Sequence, residues 1–393
     1  MPAMKSTTTY YLFTFLFRLG LGATMSLYTP FLADIGLTFA QIATVNAVYW
    51  IATLSFEIPT GMLADGRGRG WSVMMGSVFY AIGGFWYSIA GGFWHAISAE
   101  LIIAVGAAFI SGALSSWIVD APDRKRTLSH VFGTATAIAG IATVLGTLLG
   151  VYLAAPFGRG VAFAIDGVFS LFAFVVAASL MQGKELEHPM GEFDALGRAF
   201  RNLRSSPTML WAAAMQASYG IFQTFNMFWA PLMLKHLDMN GVGYTWIGMY
   251  AVVAASGFLV RTRFGQKDGT GAGMALALAF AAAPMLAFAV LPPLAAWFVL
   301  LAIHELGRGA FATFADAYVH ERIESGYRAT FSSLQSFAQE AGVAATLVVL
   351  AFAMRPFDND PRAIVWMWAI AGAVSLGVTA TLWVRRPRLP DAS

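Results

Sequence analysis

The sequence predicts an all-α polytopic membrane protein with twelve transmembrane helices in two pseudo-symmetric six-helix bundles, and three observations predict it. The chain is 58% hydrophobic and 11% charged over 393 residues, against about 25% charged in an ordinary soluble domain. No water-soluble core of this length could hide so much apolar surface. Apolar runs nearly free of charge recur along it, each near the roughly 20 residues that a helix needs to cross about 30 Å of hydrocarbon. One long polar interval, GKELEHPMGEFDALGRAFRNLRSSP from Gly183 to Pro207, parts those runs six and six. The expected organisation is therefore an N-terminal bundle over 1–182, a cytoplasmic linker over 183–207 and a C-terminal bundle over 208–393.

The first run, 10–33, follows a single lysine and has no small-residue cleavage site before the next helix, so it reads as a retained span and not a cleaved signal peptide. Arg18 interrupts it. The second, 40–63, runs into EIPTGMLADGRGRG (57–70), which reads as a short hinge-like turn before the third, 72–91. Gly61 lets span two approach a neighbour, Asp65 sets a negative charge where a helix N-terminus favours one, and Gly66, Gly68 and Gly70 permit a tight reversal. Arg69 then needs an anion. Asp120, at the inner end of the fourth run (97–119), is the natural partner. The fifth, 130–154, places Gly146 and Gly150 at a G-x-x-x-G spacing suited to close helix contact. The sixth, 161–181, holds Asp166.

Past the polar interval, the seventh run, 208–234, interleaves Phe222, Phe225, Phe228 and Trp229 with Gln223 and Asn226, a candidate substrate wall. The eighth and ninth, 244–262 and 272–291, flank GFLVRTRFGQKDG (257–269), where arginine stands in place of the first half's acid. The tenth, 294–319, contains Glu305 and Arg308, the eleventh, 330–354, contains Glu340, and the twelfth is 363–384. Aromatic residues near span ends suit interfacial belts.

With the N-terminus inside, 18 of the 24 Lys and Arg residues fall on the inner side. Cytoplasmic loops collect such charges, so both termini are expected in the cytoplasm. At an offset of 201 the halves repeat: Gly106 aligns with Gly307, Trp117 with Tyr318 and Asp120 with Glu321.

A charge near the bilayer centre costs about 2.5 to 3.5 kcal/mol, so each asks for a reason. Glu305 and Arg308 are three apart, hence on one helical face where they can pair. They either serve transport or form a structural ion pair. Arg18 either lines a polar path or snorkels to the surface. Asp166 lies close to the outer end of its span and either reaches the interface or joins that path. Glu340 faces either the path or span two. His304 points about 100° from Glu305 on an ideal helix and reads as packing or interfacial.

Several classes are excluded. The net charge of +3 is scattered with no extended basic face, which argues against nucleic acid. No Walker-type phosphate loop is present. The chain has no cysteine, and its six histidines show no metal-ligand spacing. No convergent catalytic set is found, so neither an enzyme, a metal nor a cofactor is expected.

Gly61, Leu63, Ala64, Asp65, Gly68 and Arg69 resemble the G-x-L-A-D-r-x-G-r-k loop motif of the major facilitator superfamily, in its place between spans two and three. RATFSSLQSF (328–337) resembles that superfamily's RAT-x-x-S entry into span eleven. The resemblance implies a carrier whose spans one, four, seven and ten line a central cavity. Arg18, Gln223, Asn226, Glu305 and Arg308 would then face the solute, with Glu340 and Asp166 as further proton-path candidates. It implies that Arg69, Asp65 and Asp120, with Gly61 and Gly68, latch the halves together. The expected function is proton-coupled efflux of a small anionic or zwitterionic solute across a bacterial inner membrane, by a monomer bathed in lipid. Span five lacks the Gly-Pro pair of drug antiporters, which argues against a multidrug assignment. The competing readings are an importer of an organic anion or metal chelate, and a non-transporting receptor or scaffold.

Overall fold

A computed structural model of the protein describes residues 6–119, 121, 128–181, 206–263, 271–290, 294–320, 328–357 and 360–387. Among the described residues every regular element is helical. In the first half these are α1 (Ser6–Met25), α2 (Tyr28–Asp34), α3 (Phe39–Arg67), α4 (Arg69–Ser88), α5 (Phe93–Val119), α6 (Leu128–Phe157) and α7 (Val161–Leu180). In the second they are α8 (Pro207–Tyr219), α9 (Gln223–Met233), α10 (Met239–Arg263), α11 (Ala272–Ala287), α12 (Leu294–His320), α13 (Arg328–Ala353) and α14 (Pro361–Val384).

Each expected run is thus helical. Among the described residues, seven helices are long and apolar enough to cross a membrane, and an eighth span forms if α1 and α2, bent by 47° at their junction, count as one. Span seven is likewise two helices, α8 and α9, joined by a single 3-10 turn at Gly220–Phe222. Local chemistry sets several starts. Thr38 accepts the Gln41 N–H while the Gln41 side chain accepts the Thr38 N–H, a capping box at the head of α3. Ser206 before Pro207 and Asp360 before Pro361 cap α8 and α14, with proline at the first helical position, where its missing N–H costs nothing.

The stretch 57–70 corrects the expected multi-residue turn. Helix α3 continues through Arg67, Gly68 alone leaves the helical conformation at φ 97° and ψ 142°, and α4 begins at Arg69. Only Gly68 sits where an L side chain is strained. Gly66 and Gly70 are helical, because one residue with positive φ suffices to redirect the chain.

The helices fall into two compact units, the first holding α1–α7 together with Leu237–Gly243, the second the remainder. Within the first, α4 packs on α5 and α7, α1 on α6 and α7, and α3 on α5. Within the second, α11 packs on α12 and α14, and α13 on α8. Small residues permit the approaches, as they must where lipid supplies no hydrophobic drive between helices. A Cβ on Gly146 or Gly150 would collide with the Leu19 or Ala23 carbonyl of α1, and Thr147 donates to the Gly22 carbonyl at 3.0 Å.

The repeat at 201 recurs as packing. Gly76 and Gly106 meet backbone to backbone in the first unit, where an added Cβ on Gly76 would lie 2.8 Å from the Gly106 oxygen. Gly307 meets Ala277, the counterpart of Gly76, in the second, where its added Cβ would lie 2.6 Å from the Ala277 oxygen. The Trp117 indole N–H donates to the Met181 carbonyl at 3.1 Å. In the second unit the counterpart carbonyl, Leu382, accepts at 2.7 Å from Trp211, whose ring lies 5.2 Å from Tyr318, the counterpart of Trp117.

Candidate functional site

Helix α12 is held on two sides by its own glycines. Gly307 lies on the backbone of Ala277 and Ala281 in α11, and Gly309 lies against Val253 and Ser256 of α10. Beside these contacts the helix carries Glu305, 2% exposed, and Arg308, whose Nε lies 3.3 Å from the Glu305 Oε2. The i, i+3 spacing brings them together as the sequence suggests. Tyr219, the last residue of α8, stacks on Phe311 at 5.0 Å and sets its hydroxyl beside the Arg308 guanidinium. The second carboxylate oxygen, Oε1, is buried with no hydrogen-bond partner. A buried ion pair is worth its desolvation only when all its lone pairs are met. This one keeps an acceptor in reserve, suited to a proton or to an N–H or O–H of a solute.

The neighbouring helices place the other candidates. Gly220, in the 3-10 turn of span seven, packs directly on the backbone of Gly342 in α13, and Glu340 lies half-buried two residues earlier on that helix. Gln223 and Asn226 are half-buried on α9, and the Asn226 Oδ1 is buried without a partner. The aromatic residues interleaved with them do not form a wall open to solute. Phe222, Phe225, Phe228 and Trp229 are 0 to 3% exposed. Phe225 packs against Trp368, Phe288 and His304 at 4.4, 5.7 and 4.1 Å. They recur every three or four residues and form the stripe by which span seven packs into its unit, leaving Gln223 and Asn226 beside that stripe. His304 is fully buried, so of its two readings packing is the one the structure shows, and its Nδ1 meets the Ala281 carbonyl at 2.7 Å.

In the first unit, Asp166 is buried among the helices. It is 2% exposed, its Oδ1 has no partner, and it lies against Gly20 of α1, where an added Cβ would come within 2.8 Å of that oxygen. Arg18, two residues earlier on α1, is exposed. Arg69 donates from Nη1 to the Ser116 carbonyl at 2.9 Å, a cation at the C-terminal end of α5 where the helix dipole favours one. Gly61 lies within α3. Asp120 and the side chain of Asp65 lie outside the described residues, as do Glu321 and residues 264–270 of the second-half loop.

One buried acid escaped the sequence reading. Glu100 is 4% exposed in α5 and accepts a hydrogen bond from the Tyr28 hydroxyl at 3.1 Å. Read from hydropathy it sits at the edge of a run opening near 97. The helix opens at Phe93, which draws Glu100 nearly two turns inward.

Comparison with known proteins agrees with this architecture. The Major Facilitator Superfamily family model matches residues 10–346. The quinolone resistance protein NorA of Staphylococcus aureus is 22% identical over 177 residues, 45% of each chain, so the chain spans about half the length of that curated relative. The crystal structure of a mutant form of the nucleoside transporter NupG superposes with a TM-score of 0.80 at 13% identity, covering 97% of this chain and all of that one. A structure from the proton dependent oligopeptide transporters gives 0.76 at 15% identity, covering 97% and 98%. Such likeness speaks for the fold alone. Matched over most of its length, a helical multi-pass membrane protein with two-unit packing, the chain belongs to the Major Facilitator Superfamily of transport proteins.

Proposed function

We propose that this chain is a secondary carrier, and not an enzyme, with twelve spans in two six-helix halves, both termini in the cytoplasm of a bacterium. It moves a small anionic or zwitterionic organic solute by alternating access, and proton-coupled efflux is the direction we favour. The observation that carries this reading is the Glu305–Arg308 pair, with a guanidinium suited to a carboxylate or phosphate beside a carboxylate whose Oε1 is unspent. Arg18, Gln223, Asn226, Glu340 and Asp166 are assigned to the same solute and proton path, and the Arg69 region to a latch between conformations. The resistance protein among the relatives favours export.

The test starts from the purified full chain. A thermal-shift screen of quinolones and of carboxylate- and phosphate-bearing metabolites identifies a ligand, and that ligand is then followed in liposomes under an imposed pH gradient. The wild type is expected to show flux that responds to the gradient, and Glu305→Gln to keep binding but lose the response. Gradient-driven flux that is unchanged in Glu305→Gln overturns the proton assignment. Specific binding with no flux under any gradient favours the receptor reading, and accumulation only inward favours the importer.

A further inference from the structure

Neither the loop motifs nor the pair on α12 accounts for Glu100. The Tyr28 hydroxyl, at the start of α2, donates to its Oε1 at 3.1 Å, and Asn46 of α3 donates Nδ2–H to the Tyr28 oxygen at 3.5 Å. The Tyr87 hydroxyl, in the last turn of α4, is the carboxyl's other polar neighbour, and the residue is fully buried. Of the helices packed on α5, α4 brings Tyr87, α3 brings Asn46 and α1 brings no titratable group to the acid. Among the described residues, no lysine, arginine or histidine faces it.

A carboxylate taken out of water without a cation is costly, so this one is compensated by a ligand that is itself positive. The surroundings select its size. Tyr87 stacks on Phe163 at 4.5 Å, Phe31 lies on Phe163 at 4.8 Å, and Tyr28 closes on Tyr87 at 6.1 Å. Rings packed against one another leave no box for an organic ammonium, whereas a proton needs no volume. Both phenol hydroxyls, Tyr28 and Tyr87, are the carboxyl's hydrogen-bonding neighbours, and neither brings a charge.

The repeat shows that the fold does not need an acid here. The positions 201 residues beyond Tyr28, Tyr87 and Glu100 are Trp229, Phe288 and Leu301, each 1 to 3% exposed and apolar. The second unit fills the equivalent place with hydrocarbon. A carboxyl retained in only one of two like packings is there for what it binds.

We propose that Glu100, framed by Tyr28 and Tyr87, is a proton-binding site of the first unit, separate from Glu305 in the second. The proton comes from water, forms an O–H bond on the carboxyl oxygen and leaves by the same bond. Its part in coupling rests on the carrier reading, whereas the binding itself does not.

The test is infrared difference spectroscopy of the full chain in lipid nanodiscs, stepped between acid and alkaline pH, following the C=O stretch of a protonated carboxylic acid. The expected result is a titrating band that is lost in Glu100→Gln, kept in Glu305→Gln and displaced in frequency in Tyr28→Phe, which retains the ring. Should Glu100→Gln fail to fold, displacement in Tyr28→Phe supports the site and an unmoved band rejects it. A band unchanged in Glu100→Gln overturns the proposal. So does one abolished at fixed pH by sodium chloride but not choline chloride, which assigns the site to an alkali cation. Absent flux with this band intact would reject the carrier reading alone.

Discussion

Arg308 and Glu305 depend on each other more than either depends on the helix that carries them. Removing one partner of a buried pair leaves an uncompensated charge and costs about 3 to 5 kcal/mol, whereas replacing both by neutral groups of like size is often close to neutral. Arg308→Leu should therefore destabilise the purified protein severely, and the double variant Glu305→Gln, Arg308→Leu should recover most of the loss, as measured by reversible unfolding in mixed micelles. A double variant no more stable than Arg308→Leu would show that the contact at 3.3 Å is incidental. The pair itself was legible in the sequence, because i, i+3 spacing is a local property of any helix. Its neighbour Tyr219 was not. That phenol reaches Arg308 from another helix, 89 positions earlier in the chain, and no periodicity relates the two.

At the scale of elements, the junction of α3 and α4 and the crossing of α1 and α6 each turn on glycine, for different reasons. Gly68→Ala forces a side chain into a conformation that costs about 1 to 3 kcal/mol. Gly66→Ala, in helix with nothing within 4 Å of an added Cβ, should be neutral or stabilising by up to about 1 kcal/mol. Equal losses from both, read as thermal melting temperatures in detergent, would contradict a turn of one residue. Gly146→Leu is expected to lower the melting temperature as well, because the carbonyl of Leu19 is backbone and has nowhere to go, and overpacking costs about 1 to 3 kcal/mol. The G-x-x-x-G spacing announced that contact. The glycines of 57–70 misled, because their composition resembles a loop while the helix needs only one break.

For the whole molecule, the internal repeat carries a prediction of its own. Trp117 and Trp211 reach the counterpart carbonyls of Met181 and Leu382 from different helices, so Trp117→Phe and Trp211→Phe should cost similar amounts, about 0.6 kcal/mol each for a hydrogen bond within the membrane. Unfolding of the two variants, followed by tryptophan fluorescence, checks this. A large effect from one alone would mean that the halves share a sequence pattern without sharing its energetics. The same repeat exposes the asymmetry that bears on function: the acids Glu100 and Asp166 are buried in the first unit, and Glu305 with Arg308 in the second, each without a charged counterpart at 201.

The amino-acid order by itself determined the membrane class, the approximate course of the apolar runs, the repeat and the ion pair on α12, since hydropathy and helical period act over neighbours a few residues apart. Tertiary structure alone decided which acids lie buried and what meets them. Tyr28 and Glu100 stand 72 positions apart, and the aromatic stripe of span seven became packing only when Phe288, α12 and α14 closed on it. Burial and hydrogen bonding belong to surfaces in contact, and those surfaces exist only after the helices pack.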